Sequence, residues 1–218
     1  MKPRIGLFGG TFNPIHQGHL KAAEEVRSRL SLSRVLFIPS FIPPHKQTRD
    51  VAPPEDRLRM VELACRSHPH FVASAVEVEA RETSYSIITI EKIKKLYPRA
   101  WLLFILGVDA FLEIETWRDY RRVLEECRFA VMTRPGYALE DAGHLLAGRL
   151  RDRTREVTAP LGPGDRLFSR ARIFLVPIEA LDVSSTEIRK KIRNGDAIDG
   201  LLPPEVAEYI RKHRLYIS

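Results

Sequence analysis

The chain has 218 residues, with 35 Lys and Arg against 28 Asp and Glu, a formal net charge of +7. Its 44% hydrophobic and 29% charged content is ordinary for a globular protein and excludes a disordered, collagen-like or coiled-coil chain. Two cysteines, Cys65 and Cys127, far apart and without C-x-x-C spacing, exclude a disulfide framework or a zinc ribbon.

Taken in chain order, Arg4–Phe8 is a short apolar run ending in Gly9-Gly10, which predicts a buried strand and a tight turn. Met1-Lys2-Pro3-Arg4 leads straight into it rather than into a signal peptide. No apolar run reaches the roughly 18 residues of a membrane helix, so a soluble, cytoplasmic protein is expected. Gln17–Leu30 carries Leu20, Ala23, Val26 and Leu30 at helical spacing, and Val35–Ile38 reads as a strand stopped by Pro39. Ile42-Pro43-Pro44-His45-Lys46 is a rigid loop that cannot be helix. Pro54–Ser67 is helical by period, Phe71–Val78 alternates like a strand, and Ser84–Leu96 shows a helix face at Ile87, Ile90 and Ile93.

Trp101–Leu106 is an almost wholly apolar strand closed by Gly107, followed by a short helix over Ala110–Glu113. Phe129–Met132 and Ile173–Val176 are further strands, the second the last in the chain. Gly136–Arg172 reads as a weak helix and an irregular excursion. Ser184–Asn194 and Pro204–Arg214 are helices with recognisable starts, Ser-Ser-Thr and Pro-Pro-Glu. Strands alternating with helices predict a doubly wound, Rossmann-like parallel sheet of the α/β class. A single domain over 1–218 is expected, its helical C-terminal part over 183–218.

In such sheets ligands sit beyond the carboxyl ends of the strands. The loops there are Gly9–His19, Pro39–Lys46, Gly107–Trp117 and Thr133–Gly136. Gly9-Gly10-Thr11-Phe12-Asn13-Pro14-Ile15-His16-Gln17-Gly18-His19 is neither a dinucleotide fingerprint nor a P-loop, because the spacing differs and no Gly-Lys-Ser/Thr follows. Its parts still suit phosphate. Two glycines permit close backbone approach, Thr11 offers a hydroxyl, and the following helix aims free N–H groups outward. His16 and His19 share one face, and Gly18 leaves room for a ligand. Metal ligation is the weaker reading, since no third ligand of metal type lies nearby.

The same stretch resembles the signature of the nucleotidylyltransferase superfamily with the H-x-G-H motif, which releases pyrophosphate from a nucleoside triphosphate. Val183-Ser184-Ser185-Thr186-Glu187-Ile188-Arg189 is similar to its second signature, I-S-S-T-x-I-R. Pro43-Pro44-His45-Lys46, Ser84-Tyr85-Ser86, Gly107-Val108-Asp109, Trp117 and Arg134-Pro135-Gly136 narrow the resemblance to the bacterial nicotinate-nucleotide adenylyltransferases. The likeness departs at Asn13, where that family often has Asp, at Ser86, where Thr is common, and over Leu139–Arg172, which aligns with nothing.

The resemblance implies adenylyl transfer from ATP to nicotinate mononucleotide, giving deamido-NAD in NAD biosynthesis. It implies catalytic roles for His16, His19, Lys46 and Arg189, and ATP contacts from Gly9, Gly10, Thr11, Phe12, Gly107, Ser184, Ser185 and Thr186. Asp109 would accept ribose hydroxyls, or could only cap its short helix. Ser86, Tyr85, Trp117 and Arg134 would bind the acceptor, Trp117 as an exposed stacking platform. Mg²⁺ would be held by phosphates, with no ligand from the protein. Ser184 could be only an N-cap, yet a cap explains one hydroxyl and not three in a row. Cys65 and Cys127 read as inert core.

Two other readings stand beside this one. A sister enzyme would act on nicotinamide mononucleotide or phosphopantetheine, and a basic nucleic-acid-binding domain would explain the charge but lacks aromatic-interleaved basic strands. No nucleic-acid or membrane partner is expected, and a homo-oligomer is left open.

Overall fold

The computed structural model describes residues 2–43, 50–133, 152–162, 164–179 and 181–217. Among them, β1 (Arg4–Gly10), β2 (Arg34–Pro39), β3 (Phe71–Ala73), β4 (Trp101–Gly107), β5 (Arg128–Thr133), β6 (Thr154–Glu156) and β7 (Ile173–Pro177) form one parallel sheet, ordered β3-β2-β1-β4-β5-β7-β6. The register pairs Phe8 with Ile105, Phe104 with Phe129, and both Phe129 and Thr154 with Ile173. Every residue of β5 is buried, and so are five of the seven in β4. That is why these strands read as unbroken apolar runs: a parallel sheet covered on both faces has no polar side to alternate with.

Helices α1 (Gln17–Arg29), α2 (Pro54–Cys65), α3 (Ser86–Leu96), α4 (Val108–Leu112), α5 (Tyr120–Glu126) and α6 (Arg166–Arg170) lie between strands, and α7 (Ser185–Asn194) and α8 (Pro204–Lys212) follow β7. The order of the strands reverses between β1 and β4, a topological switch point.

The chain divides into two compact units. The first comprises Met1–Phe8, Ala22–Val35 and Tyr85–Ala180. Its core is aromatic: Phe129 packs on Phe104 and Phe111 at 6.4 and 5.8 Å, and Phe168 stacks on Phe174 at 5.0 Å. Burying each such ring contributes roughly 1.5–3 kcal/mol. The second comprises Gly9–Lys21, Leu36–Ser84 and Leu181–Ser218. Phe37 joins Phe12 and Phe71 there, and the Tyr209 hydroxyl of α8 donates to Asp56 of α2 at 2.7 Å. Helix α7 starts on Ser184, whose hydroxyl accepts the Glu187 N–H, and stops at Gly195, whose φ of 74° suits glycine.

The structure departs from the sequence reading in several places, one being helix α5, which the sequence reading did not contain. The strand expected over Phe71–Val78 ends at Ala73, because the Ser74 N–H turns to the Phe37 carbonyl and a turn follows, closed by Glu79 N–H on Ala75. Inside the excursion read as irregular, β6 is a genuine edge strand, secured past its end by the Val157 N–H on the Leu175 carbonyl. Asp109 does not cap a helix over Ala110–Glu113: α4 begins at Val108, its N-cap is Gly107, and Asp109 lies within the first turn.

Candidate active site

Loop geometry in the second unit begins at the glycine turn. A Cβ on Gly10 would stand 3.1 Å from the Phe12 ring, which folds back over it. Phe12, with φ of 48° and only 2% exposed, presents its ring to His19 edge-on at 5.1 Å. His16 lies on the other flank, 3.7 Å from His19 between ring centroids. The His16 backbone N–H donates to Nδ1 of His19 at 3.3 Å. A neutral imidazole whose Nδ1 accepts carries its proton on Nε2, so His19 is fixed as an Nε2–H donor.

His16 differs. It is 7% exposed, burial presses its pKa down to about 4, and its Nδ1 is buried without a partner among the described residues. It is therefore neutral at pH 7. The room that Gly18 was expected to leave for a ligand is filled by this ring: a Cβ there would stand 3.0 Å from His16 Nδ1.

The start of α7 is tied to the same loop. Ser185 donates to the Pro14 carbonyl at 2.9 Å, and Arg189 Nη1 donates to the Asn13 carbonyl at 2.9 Å. Arg189 also reaches the Thr186 hydroxyl at 3.4 Å, so the two share a helix face. Its Nε is buried without a partner among the described residues. All three hydroxyls therefore have distinct tasks: Ser184 caps, Ser185 ties the loop, and Thr186 steadies Arg189.

Asn13 is the hub that sequence reasoning weighed only as a missing Asp. Its Nδ2 donates to the Asp50 carbonyl at 2.7 Å, while Oδ1 accepts from Ala52 N–H and the Tyr216 hydroxyl, each at 2.9 Å. An aspartate could not make the first of these bonds, since a carboxylate has no donor. Arg57, buried at 1% exposure, donates to the carbonyls of Ala52, Thr11 and Phe41 and fixes the loop from beneath. Burial lowers its pKa. Nothing in the sequence marked Arg57, which sits in an amphipathic helix among ordinary surface arginines.

The first unit holds a second set. Gly107 ends β4, and Asp109 is exposed one residue into α4. Trp117 is half-buried rather than exposed, with Phe104 edge-on at 5.6 Å. Tyr85 caps α3, its ring covered by the Arg118 guanidinium at 4.7 Å, and Ser86 is the first residue of that helix. Lys46 and Arg134 lie outside the described residues. Cys65 and Cys127 are buried, and burial pushes both thiols up to about 12, so neither supplies thiolate at neutral pH.

With this geometry in place, the comparisons with known proteins are direct. A family model described as cytidylyltransferase-like matches residues 7–191. The chain belongs to that family. It is 42% identical over 98% of its length to a protein of Moorella thermoacetica named "Probable nicotinate-nucleotide adenylyltransferase", covering 91% of that protein. A protein of the same name from Solibacter usitatus is 43% identical, with 98% and 99% of the two chains covered. In fold, it resembles the Plasmodium falciparum nicotinic acid mononucleotide adenylyltransferase complexed with NaAD, with a TM-score of 0.71 at 17% identity over 98% and 97% of the chains. No helix among the described residues is long and apolar enough to cross a membrane.

Proposed function

We propose that the chain transfers the adenylyl group of ATP to nicotinate mononucleotide, giving deamido-NAD and pyrophosphate. The observation that carries this reading is the His16–His19 pair at the start of α1, in which His19 Nδ1 accepts the His16 N–H and its ring lies 3.7 Å from that of His16. The names of relatives that match over nearly their whole length support the choice of acceptor.

The chemistry asks little of a base. The 5′-phosphate of the mononucleotide is already ionised and attacks the α-phosphorus; the bond to the β-phosphate breaks and pyrophosphate leaves. What the protein must supply is positioning and positive charge where the phosphoryl oxygens gain negative charge. His19 Nε2–H, the Gly18 N–H in the first turn of α1, Lys46 and Arg189 would donate there, with His16 buttressing the His19 ring. Gly9, Gly10, Thr11 and Phe12 would border the nucleotide, as would Gly107. Ser184, Ser185 and Thr186 would present α7 to the triphosphate, and Asp109 would take the ribose hydroxyls. Tyr85, Ser86, Trp117 and Arg134 would receive the nicotinate ring and its carboxylate.

ATP would enter as its Mg²⁺ complex, the ion neutralising phosphate charge. In that arrangement N–H groups and cations of the chain would contact phosphate oxygens and leave the ion to the phosphates. Among the described residues no group of three or more His, Cys, Asp or Glu is placed to hold a metal. Pyrophosphate release measured with ATP against a panel of phosphorylated acceptors tests the proposal. Turnover with a pyridine mononucleotide and none with phosphopantetheine is expected; the reverse contradicts it.

A further inference from the structure

Away from the catalytic loops, the first unit holds a cavity of about 490 Å³ at the opposite, amino ends of the strands. Strand β5 opens on Arg128, and β7 and β6 are immediately preceded by Arg172 and Arg153. Because the strands are parallel, their first residues line up along one edge. The Phe129 N–H donates to the Arg172 carbonyl and the Arg172 N–H to the Arg153 carbonyl, each at 2.8 Å. Three guanidiniums therefore start adjacent strands about 4.8 Å apart. Like charges side by side on a sheet are destabilising, and none of the three is in an ion pair among the described residues.

Lys2 and Arg170 line the same cavity. So do exposed Glu125 and half-buried Glu126, the latter with its carboxylate bound by Lys94. The balance is six cations against two carboxylates. Arg128 is the centre of the arrangement. It is 7% exposed and stacks on the Trp101 ring at 3.6 Å, and its Nε is spent on the Phe168 carbonyl at 3.3 Å. Among the described residues its two terminal nitrogens make no hydrogen bond, and Arg128 lines the cavity. Burial first, and then Arg172, press its pKa down to about 10, still charged at neutral pH. A buried, charged, half-satisfied arginine beside two more is costly unless an anion completes it.

We infer that this cavity is a binding site for an oligophosphate anion, two or more linked phosphates spanning Arg128, Arg172 and Arg153. The outermost of the three strand starts lie two strand spacings apart, about 9.6 Å, a span that linked phosphates match better than a single one. Trp101 offers no stacking surface to a base, since Arg128 covers its ring and Lys2 stands 4.9 Å from its centroid. The recognised element is thus the phosphate chain itself, free or as the tail of a nucleoside triphosphate. This site is independent of the proposed catalytic function.

Trp101 reports on it. The chain has two tryptophans, so Trp117→Phe leaves Trp101 as the only one, and its fluorescence senses the cavity and not the catalytic loops. Titration of that variant with inorganic tripolyphosphate is expected to give a saturable change that KCl at equal ionic strength does not produce. Adding Arg153→Gln and Arg172→Gln is expected to weaken binding at least tenfold. Arg153→Gln alone, at an exposed position, is expected to weaken it at least threefold, with circular dichroism unchanged. Equal affinity for tripolyphosphate and UTP identifies the free chain as sufficient, and tighter binding of UTP identifies the nucleotide. A response no larger than that to KCl, unaltered affinity in both Arg variants, or preferential binding of single-stranded RNA at equal phosphate concentration would overturn the inference.

Discussion

The His16 backbone N–H is bonded to Nδ1 of His19 at 3.3 Å, so one histidine of the pair sets the tautomer of the other. The pairing makes a directional donor from a side chain that otherwise has two interchangeable nitrogens. It also separates the two histidines: His16 is buried, while His19 would face the chemistry under the proposed function.

His19→Ala is accordingly expected to lower kcat by about 10²–10³, the loss typical of one donor to a developing charge, or roughly 2.7–4 kcal/mol. KM for ATP and for acceptor should change far less. Steady-state kinetics on the folded variant checks this, and retention of half the wild-type kcat would remove the role from His19.

Arg189→Ala should damage the use of ATP chiefly, since its guanidinium shares a helix face with Thr186 and is anchored to the Asn13 carbonyl. A rise in KM for ATP of at least tenfold with acceptor KM within about twofold is expected. Isothermal titration of each substrate separates the two, and equal losses would contradict the assignment.

His16 should make the protein acid-sensitive. Its folded pKa of about 4 lies below the ordinary value of 6.5, so between those pH values the unfolded chain binds a proton that the folded chain does not. Stability therefore falls as pH drops from 6.5 toward 4, by about 2 kcal/mol at pH 4.5, at 1.36 kcal/mol per pKa unit. Urea unfolding of wild type and His16→Gln at pH 7 and 4.5 is the measurement. The variant should lose about 2 kcal/mol less on acidification, and identical pH slopes would count against a buried neutral His16.

Gly18→Ala sets two effects against each other. Helix propensity alone favours alanine by about 1 kcal/mol. The added Cβ, however, meets His16 at 3.0 and 3.1 Å, and pushing that ring aside costs on the order of 1–3 kcal/mol and disturbs His19. A lower melting temperature and a kcat reduced at least tenfold are expected; a raised melting temperature with unchanged kcat would show that the ring yields freely.

Long buried strands and capped helices were legible in the sequence because their signal is local. Apolar runs such as Trp101–Leu106 and the Ser-Ser-Thr start of α7 each announce themselves within a few residues. Three residues of polar edge strand, Thr154–Glu156, carry no such period and exist because β7 offers them an edge. The pairing of His16 with His19 followed from helical spacing. The hub at Asn13 did not, since Ala52 and Tyr216 reach it from 39 and 203 residues away. Arg57 was invisible for the same reason: its three carbonyl partners are set by tertiary packing, not by spacing. The Arg128, Arg172 and Arg153 row becomes a feature only once parallel pairing aligns the strand starts.

Under the proposed function the acceptor is the acid and not the amide, and kcat/KM for nicotinate mononucleotide and nicotinamide mononucleotide at saturating ATP and Mg²⁺ decides between them. The two differ by one substituent. In the proposed site the Ser86 N–H, at the start of α3, can only donate; a carboxylate would accept from it with either oxygen, whereas a carboxamide could present only one acceptor and would otherwise turn its NH₂ toward a donor. Sites built around a specific hydrogen-bonding group discriminate by up to about 10⁴–10⁵, and a partly solvated one by less. A preference of at least a hundredfold for the acid, about 2.7 kcal/mol, is predicted. Values within about threefold of each other would contradict it.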